Sequence, residues 1–444
     1  MRTLMINTNT YRTIAPAPIG ASLVASRLRR EGHEVRFLDL MFARDPVSTA
    51  AKVTREFDPE LICFSIRNVD TQSSTSFFDP LPTINKIVGS VLQVTRAPTL
   101  LGGTAFTTFP AQFLEVLGAD YGIAGDDPDP IASFVASLAA GQPDFSVPGL
   151  VYRAGGAIRL NPFVIRGYAD TVFDGWDVLD LKSYRRSPSV FWDAGLVVRS
   201  GCPFKCIYCD TYRTFGSHWV LRDPLQVADE ALTLQRLGAR SIIFADAGFN
   251  RPLDHAKEIL QALIRKKVRL NLTAIFEPGE ADKEFAQLFH RAGGRCVALF
   301  AGSLADPVLS ETHKPFVAED VEFAAKLLRD AGVESFLFLI FGGPGETPAT
   351  IETTFEAAQR IGPLMMLMDY GYRIQPGTGL RERAIAEGLV PADFDCFKPV
   401  FYFSPATPPE RLRERLRRFE ADNRWKQGRA LSWMAKLMWR KYHP

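Results

Sequence analysis

The stretch RSGCPFKCIYCDTY, residues 199–212, carries three cysteines in the pattern Cys-x-x-x-Cys-x-x-Cys. Cys202, Cys206 and Cys209 are half of the six cysteines in the chain, and they directly follow a strand-like run. Thiolates are the usual protein ligands of iron–sulfur clusters. A structural zinc site or a chance grouping is the alternative, but structural zinc takes four ligands and the nearest further Cys or His is His218. We therefore predict a 4Fe–4S cluster with one iron left open.

Six β-rich runs, separated by helical patterns, surround this loop and continue after it. Six strand–helix units fall short of the eight that close a full barrel. We predict an open, partial (βα)6 barrel over residues 191–385, with its site at the carboxyl ends of the strands. The runs are GLVVRS, RSIIFAD, VRLNLTAI, CVALFAG, SFLFLIFG and LMMLMDYGYRI.

Five further β-rich runs alternate with helical patterns in residues 1–145. This alternation predicts a doubly wound, Rossmann-like parallel sheet, which takes ligands where its strands end. The runs are TLMIN, EVRFLD, LICFSI, TLLGG and ADYGIAG. Together with the barrel they make the chain an α/β protein of two domains.

Two segments fall outside these repeats. Residues 146–190 read as a linker that contains a hairpin around Gly155 and Gly156. Residues 386–444 read as a helical region, whose last part, residues 409–444, has eleven Lys and Arg against four acids. That tail either lies on a membrane surface or packs its apolar face on the barrel, and we favour packing.

Composition excludes several classes of protein. The formal net charge of +2 gives no support for a nucleic-acid binder. The sequence has no stretch of about 18 apolar residues and no pattern of a signal peptide at its start, so we expect a cytoplasmic protein without a membrane span. We also expect a monomer.

The cysteine loop resembles the signature of the radical SAM superfamily, CxxxCx(aromatic)C, with Tyr208 at the aromatic position. Further segments are similar to that family in the expected order: DAGFN at 246–250, Ser303, GGPGET at 342–347 and QPGT at 375–378. The resemblance implies S-adenosylmethionine (SAM) on the open iron of the cluster. It implies SAM contacts from these residues: Tyr208, Asp246, Ser303, Gly342, Gly343 and Gln375.

Residues 1–145 resemble the cobalamin-binding domain that is fused to one class of radical SAM enzymes. The usual DxHxxG motif, whose His binds cobalt, is absent, and His33 lies in a helix-to-strand turn. Arg67 either lies under the corrin or braces its loop by pairing with Asp70. The resemblance implies cobalamin contacts from these residues: Arg67, Asn68, Gly102, Gly103, Thr104, Gly125 and Asp126.

Most members of that class with a known activity are methyltransferases. The resemblance therefore implies methylation of an unactivated carbon of a small natural-product or lipid-like precursor, with SAM as radical source and methyl donor. An external electron donor of the flavodoxin or ferredoxin type is implied as well. A cobalamin-dependent cyclase, oxidase or rearranging enzyme, and a radical SAM enzyme without cobalamin, remain alternatives. Substrate-side candidates are Arg373, Tyr372, Asn271 and Thr273.

Overall fold

The structure is a computed structural model that describes residues 1–13, 15–169, 171–186 and 192–423. The chain divides into two compact units. Unit 1 comprises Met1–Thr71, Phe78–Ser189 and Thr214–Gly216. Unit 2 comprises Gln72–Phe77, Val190–Arg213 and Ser217–Pro444. Among the described residues, no helix is both long enough and apolar enough to cross a lipid bilayer.

Unit 1 is built on a seven-stranded sheet in the order β2-β1-β3-β4-β5-β6-β7. The first five strands are parallel, and β6 and β7 are antiparallel additions at the β5 edge. The strands are β1 (Arg2–Asn7), β2 (Glu34–Asp39), β3 (Leu61–Ser65), β4 (Thr99–Gly102), β5 (Tyr121–Ile123), β6 (Leu150–Ala154) and β7 (Ala157–Leu160). In β1 and β3 nearly every residue is buried, as expected of central parallel strands covered on both faces.

The helices of unit 1 follow the strands as the periodicity predicts. They are α1 (Ile19–Arg30), α2 (Pro46–Phe57), α3 (Leu81–Leu92), α4 (Thr104–Thr108), α5 (Pro110–Leu117), α6 (Pro128–Ala139), a 3-10 turn (Gly175–Val178) and α7 (Leu181–Arg186). Asp45 and Asp127 cap α2 and α6 by accepting backbone N–H groups at their first turns. Buried side chains of α1 and α6 pack with those of β1, β3 and β4 in one apolar core.

The hairpin around Gly155 and Gly156 is present, but its assignment to a linker needs correction. Its first strand, β6, pairs with β5, so the hairpin extends the sheet of unit 1. Further along, Tyr184 is buried and its hydroxyl donates to Asp39 at the end of β2. The described residues between the hairpin and residue 186 therefore pack as part of unit 1.

Unit 2 is built on six parallel strands in the order β15-β14-β13-β12-β11-β8. Its strands are β8 (Ala194–Leu196), β9 (Arg199–Ser200), β10 (Val220–Leu221), β11 (Ser241–Phe244), β12 (Asn271–Phe276), β13 (Gly294–Gly302), β14 (Glu334–Phe341), β15 (Met365–Tyr370), β16 (Tyr372–Arg373) and β17 (Phe401–Tyr402). The pairs β9–β10 and β16–β17 form two short antiparallel ladders. The six-stranded sheet has the sequential order of the predicted partial barrel.

The helices of unit 2 alternate with these strands. They are α8 (Thr211–Thr214), α9 (Pro224–Arg236), α10 (Leu253–Arg265), α11 (Lys283–Arg291), α12 (Asp306–Glu311), α13 (Ala318–Asp330), α14 (Pro348–Ile361), α15 (Gly379–Ala386) and α16 (Pro409–Asp422). The apolar face of α16 is buried, and its Phe419 ring stacks on Phe355 of α14 at 3.8 Å between centroids. Up to residue 423 the tail therefore packs its apolar face on unit 2, through the contact of α16 with α14. Residues 424–444 lie outside the described residues.

Candidate active site

The three predicted cluster ligands lie on the loop between β9 and α8, which neighbouring segments hold on both sides. Arg199 is buried, and its guanidinium donates to Gly201 O at 2.7 Å and to Gly248 O at 2.6 Å. The backbone N–H of Ile207 donates to Thr312 O at 3.1 Å, and Ile207 O accepts from Leu380 N at 2.8 Å. The loop is therefore held by the segment after β11, by the end of α12 and by the first turn of α15.

The thiols of this loop are partly buried and free of disulfides. Burial raises the pKa of all three, that of Cys206 to about 12. A bound metal centre supplies the positive charge that makes buried thiolates favourable. Among the described residues, no three Cys, His, Asp or Glu side chains are close enough to hold a single ion. A cluster binds each thiolate through a different iron, so its ligands stand farther apart, and this donor set fits a cluster.

Charged side chains that the sequence analysis missed surround the cysteine loop. Glu277 follows β12 directly, and its Oε2 is buried with no hydrogen-bond partner in the described part of the chain. Burial raises the pKa of Glu277, although Lys314, Arg251 and Arg199 partly oppose the shift. An acidic residue immediately after a predicted strand was the signal that could have identified it.

Lys314 is the second charged residue near the cysteine loop that the sequence analysis did not predict. Its ammonium group donates to Phe300 O at 3.3 Å and lies 5.6 Å from the centre of the Tyr208 ring. Burial alone would lower the pKa of Lys314, but Tyr208, Cys206 and Glu277 outweigh burial and raise it. Lys314 therefore carries a positive charge beside the predicted cluster. It comes from the loop after α12, where no local motif distinguishes it.

Tyr208 is half-buried within the cysteine loop and packs against Tyr372, with 4.9 Å between ring centres. Tyr372 in turn lies against Gly343, where a Cβ would come within 2.6 Å of the Tyr372 ring. The hydroxyl of Tyr372 donates to Ile340 O at 3.0 Å. Gly343 thus makes room for an aromatic side chain, and Tyr372, predicted as a substrate contact, packs on Tyr208.

Three of the predicted SAM contacts already have partners within the protein. The carboxylate of Asp246 accepts from the backbone N–H groups of Val198 and Arg199, and burial raises its pKa to about 6. Ser303 Oγ lies 3.1 Å from Thr354 Oγ1 and accepts from Ala305 N. These groups join neighbouring strand ends and helices.

Gly342 is the third predicted SAM contact that has partners within the protein, and its backbone has a positive φ of 85°. Its N–H donates to Glu346, and its carbonyl accepts from Ser404 N at 2.7 Å. Gly342 thus shapes the GGPGET turn through internal bonds. Gln375 differs from the other predicted contacts, because both polar atoms of its buried side chain have no partner in the described part of the chain.

The remaining substrate candidates are not supported by their positions. Asn271 is the first residue of β12, at the amino end of the strand, whereas a barrel ligand lies at the carboxyl end. Thr273 is buried within the same strand and pairs with Ile243 and Cys296. Arg373 is buried and donates to Ile374 O and Cys396 O. Strand alternation, on which the prediction rested, could not reveal these internal partners.

The predicted cobalamin contacts lie at adjoining strand ends of unit 1. Arg67 and Asn68 follow β3, Gly102–Thr104 follow the neighbouring β4, and Gly125 follows β5. Arg67, Gly103 and Thr104 are exposed. The guanidinium of Arg67 donates to Asn68 Oδ1 at 3.0 Å. An exposed edge of glycines and polar groups fits a large, planar ligand, because it lets the ligand approach the backbone closely.

Two of the predicted cobalamin contacts, Gly103 and Asp126, have structural roles within unit 1. At Gly103 φ is 103° and a Cβ would lie 2.5 Å from Ile66 O, so only glycine fits between the two strand ends. Asp126 accepts from Gly167 N at 2.9 Å and from Arg166 N at 3.3 Å, and burial raises its pKa. Asp126 therefore anchors the segment after the hairpin.

His33 lies in the turn from α1 to β2, at the opposite end of the strands from the predicted cobalamin contacts. This position supports a structural role for His33.

Sequence profiles of two families match the chain. The profile of the Radical SAM superfamily matches residues 196–358, and that of the B12 binding domain matches residues 12–135. Together they cover more than half of the chain, and each falls on one of the two sheets. The chain is a cobalamin-dependent radical SAM enzyme. Its cofactors are accordingly a 4Fe–4S cluster, SAM and cobalamin, as predicted.

Curated relatives of this enzyme share about a quarter of its residues. An uncharacterized methyltransferase of Pyrococcus horikoshii is 25% identical over 382 residues, which cover 84% of this chain and 79% of the relative. A tryptophan 2-C-methyltransferase of Streptomyces laurentii is 23% identical over 435 residues, covering 84% and 72%. An anaerobic magnesium-protoporphyrin IX monomethyl ester cyclase of Cereibacter sphaeroides is 24% identical over 353 residues, covering 77% and 56%.

A solved structure shares the fold of the whole chain. It is the radical SAM methyltransferase TsrM from Kitasatospora setae with cobalamin and a 4Fe–4S cluster bound. The TM-score is 0.81 at 23% identity, over 92% of this chain and 85% of TsrM. The predicted fold class, an α/β cobalamin-binding domain followed by a partial radical SAM barrel, is confirmed. The individual site residues stay predictions.

Proposed function

We propose that this enzyme uses SAM and cobalamin to methylate a carbon atom of a small organic molecule. The observation that carries the proposal is the combination, in one chain, of a three-thiol cluster loop at the strand ends of a radical SAM sheet and a B12-binding sheet. Relatives with methyltransferase names extend over most of the chain. Cobalamin-dependent methylation is thus the activity that these relatives favour.

The cysteine loop holds the catalytic centre of unit 2. Cys202, Cys206 and Cys209 would bind the cluster, which supplies electrons to SAM when both are bound. Lys314 places a positive charge beside Cys206, and this charge offsets part of the negative charge of a thiolate-bound cluster. Glu277 Oε2 accepts no hydrogen bond from the described residues, and it forms an ion pair with Arg251, whose Nε lies 3.9 Å away.

The strand ends of unit 1 would hold cobalamin, which supplies a carrier for the methyl group. The glycines after β4 and β5 admit the corrin, and Arg67 is an exposed cation of this edge. Of the two roles predicted for Arg67 we propose the one under the corrin, where its guanidinium would lie beside Asn68, another predicted contact to which it donates. A cation there disfavours the oxidised, more positive states of cobalt.

The substrate is a small natural-product or lipid-like precursor. The related methyltransferase of Streptomyces laurentii is named for tryptophan, and the related cyclase for a porphyrin ester, so small organic molecules are the common feature. A flavodoxin- or ferredoxin-type protein would supply electrons to the cluster.

A second candidate is ring formation without methyl transfer. The cyclase of Cereibacter sphaeroides favours it, although the chain spans only about half of that relative's length. The chain matches two relatives that are named as methyltransferases over most of their length. These relatives favour methylation over ring formation.

Incubation of the reconstituted enzyme with trideuteromethyl-SAM, a reductant and a panel of small precursors separates the two functions. Methylation predicts a product that carries the deuterated methyl group. A product that lacks the label and has lost hydrogen supports the cyclase, and it contradicts our proposal. Cys206→Ala serves as the control that lacks the intact cluster loop.

A further inference from the structure

The cysteine loop turns one side to solvent directly beside two of the predicted cluster ligands. Between Cys202 and Cys206, Pro203 and Lys205 are exposed and Phe204 is half-buried. The exposed residues are thus immediate chain neighbours of the thiols that would bind the cluster. Because electron tunnelling weakens steeply with distance, a protein that touches this side of the loop has a short route to the cluster.

An aromatic pair and an exposed leucine continue the same side of unit 2. The rings of Phe204 and Trp219 meet edge to face, with 6.0 Å between their centres, and Trp219 is half-buried. Leu221 follows on β10, where it pairs with Arg199 and is 38% exposed. Partly exposed apolar and aromatic side chains of this kind are typical of protein-binding surfaces. We name this surface the loop face, and its residues are Pro203, Phe204, Lys205, Trp219 and Leu221.

The exposed charges of the cysteine loop and of α8 are positive. Lys205 and Arg213 are exposed, and in the described part of the chain neither has an ion-pair partner. The next exposed acid along the chain is Asp223, whose carboxylate accepts the backbone N–H groups of Leu225 and Gln226 at the start of α9. The cations are therefore available to a negatively charged partner.

Buried cations hold the two aromatic rings of the loop face in place. The guanidinium of Arg199 lies 5.7 Å from the centre of the Trp219 ring, and that of Arg251 lies 5.2 Å from the centre of the Phe204 ring. Arg251 also pairs with Glu280 at 2.7 Å. Cation–π contacts with buried guanidinium groups stabilise the positions of these rings. The loop face therefore keeps a defined position relative to the cysteines.

We propose that the loop face is the docking surface of a small, acidic electron-carrier protein that reduces the cluster. The inference rests on the proposed function in that unit 2 binds a cluster that takes electrons from outside the chain. One electron passes from the reduced carrier to the oxidised cluster, and no covalent bond forms. Opposite charges steer the carrier to Lys205, and the apolar residues form the small interface that a short-lived electron-transfer complex needs.

Charge reversal at Lys205 and a charge placed at Leu221 test the proposal. Labelled, oxidised flavodoxin is titrated with the full-length chain that carries a reconstituted cluster, and fluorescence anisotropy measures the Kd at low ionic strength. We expect Lys205→Glu and Leu221→Glu each to raise the Kd at least about fivefold. Added salt should weaken binding by wild type more than binding by Lys205→Glu, because salt screens the attraction.

The same two changes at the other edge of the sheet are the matched controls. Lys267 lies in the turn from α10 to β12, and Leu237 lies in the turn from α9 to β11, so both are at the amino ends of the strands. Lys267 is exposed, and Leu237 is 40% exposed, close to the value for Leu221. Lys267→Glu and Leu237→Glu should bind flavodoxin as wild type does.

The rate of cluster reduction, followed by absorbance, separates docking from an effect on the cluster itself. Lys205→Glu and Leu221→Glu should be reduced more slowly by reduced flavodoxin and at the wild-type rate by dithionite. Equal slowing with both reductants would mean that the substitutions act on the cluster, and this result overturns the proposal. An unchanged Kd for flavodoxin in both variants overturns it as well.

A second copy of the chain is the other possible occupant of the loop face. If wild type is a dimer in analytical ultracentrifugation and Leu221→Glu is a monomer that still binds flavodoxin normally, the loop face is a subunit interface and the proposal is wrong. The proposed function fails separately: a wild-type chain that flavodoxin reduces but that methylates no precursor refutes methyl transfer and leaves the docking surface standing.

Discussion

At the scale of single residues, burial determines how several acidic groups of unit 2 ionise. Glu346 is almost fully buried within the GGPGET turn, where its carboxylate accepts from Gly342 N. Burial raises the pKa of Glu346 to about 7, although this backbone bond favours the ionised form. The folded chain therefore retains a proton at a pH at which the unfolded chain has already released it.

Glu346→Gln should remove a pH dependence of stability. Between the ordinary pKa of about 4.5 and the folded value of about 7, the folded wild type binds more protons, so its stability falls as pH rises, by at most about 1.4 kcal/mol per pH unit from this group. The Gln variant stays neutral. We expect it to be more stable than wild type at pH 8, and the difference to shrink at pH 5.

Urea unfolding at both pH values measures this difference. Glu356→Gln, on the exposed side of α14, is the control and should follow the wild type at both pH values. If Glu346→Gln and wild type lose stability in parallel between pH 5 and pH 8, the carboxyl of Glu346 is not the group responsible.

Lys314→Met should make the cluster harder to reduce. Lys314 carries a positive charge near Cys206 and Tyr208, and a nearby cation stabilises the more negative, reduced cluster. We expect the midpoint potential to fall by on the order of tens of millivolts, measured by a redox titration followed by electron paramagnetic resonance. Lys326→Met removes an exposed lysine that pairs with Asp330 and should leave the potential unchanged. The same potential in both variants would show that Lys314 does not act on the cluster.

At this scale the sequence predicted the chemistry of some residues better than others. Cys202, Cys206 and Cys209 could be identified because their spacing within one loop is itself the signal. Lys314 could not, because it lies in a loop without a motif and only folding brings it to the cysteines, and the signal for Glu277 was limited to its position directly after a predicted strand. Asp246 was recognised as a polar strand-end residue, but its partners are backbone groups, which a residue pattern does not reveal.

At the scale of elements, hydrophobic periodicity predicted the eleven longer parallel strands well, and their bounds agree within a few residues. The two-residue strands β10 and β17 were missed, because two residues show no period, whereas β9 and β16 were predicted as the ends of the runs that contain β8 and β15. The short helices α4 and α12 were missed for the same reason. The hairpin β6–β7 was recognised, but its pairing with β5 was not predicted, since pairing at the edge of a sheet depends on the packed structure.

Gly103→Ala tests the turn between β4 and α4. A Cβ there would lie 2.5 Å from Ile66 O, and φ is in a region that favours glycine. We expect a loss of about 2 kcal/mol or more in the free energy of unfolding and weaker binding of cobalamin. Thermal unfolding and corrin absorbance after gel filtration measure the two effects.

Gly20→Ala is the contrasting change. Gly20 lies in α1, and a Cβ added there would meet no other atom within 4 Å, so alanine should stabilise the helix by about 0.5–1 kcal/mol. If Gly103→Ala is tolerated as well as Gly20→Ala, the close approach of β4 to the end of β3 is not a constraint on this fold.

At the scale of the whole molecule, the chain is built on two large sheets whose strands are ordered differently. In unit 1 the order β2-β1-β3-β4-β5 reverses between β1 and β3, and doubly wound sheets bind ligands at such a point. In unit 2 the order is sequential, and the cysteine loop follows its first strand. The order of elements along the chain was enough to predict both architectures, whereas the substrate depends on side chains that no motif marks.

The most direct test of the account is a single preparation of the full-length chain, reconstituted with iron, sulfide and cobalamin and then given trideuteromethyl-SAM with candidate precursors. We expect four irons and one corrin per chain, and mass spectrometry should detect a small molecule that has gained the deuterated methyl group. A chain that binds the cluster but no corrin, or that consumes SAM without labelling any carbon compound, would contradict the assignment as a cobalamin-dependent methyltransferase.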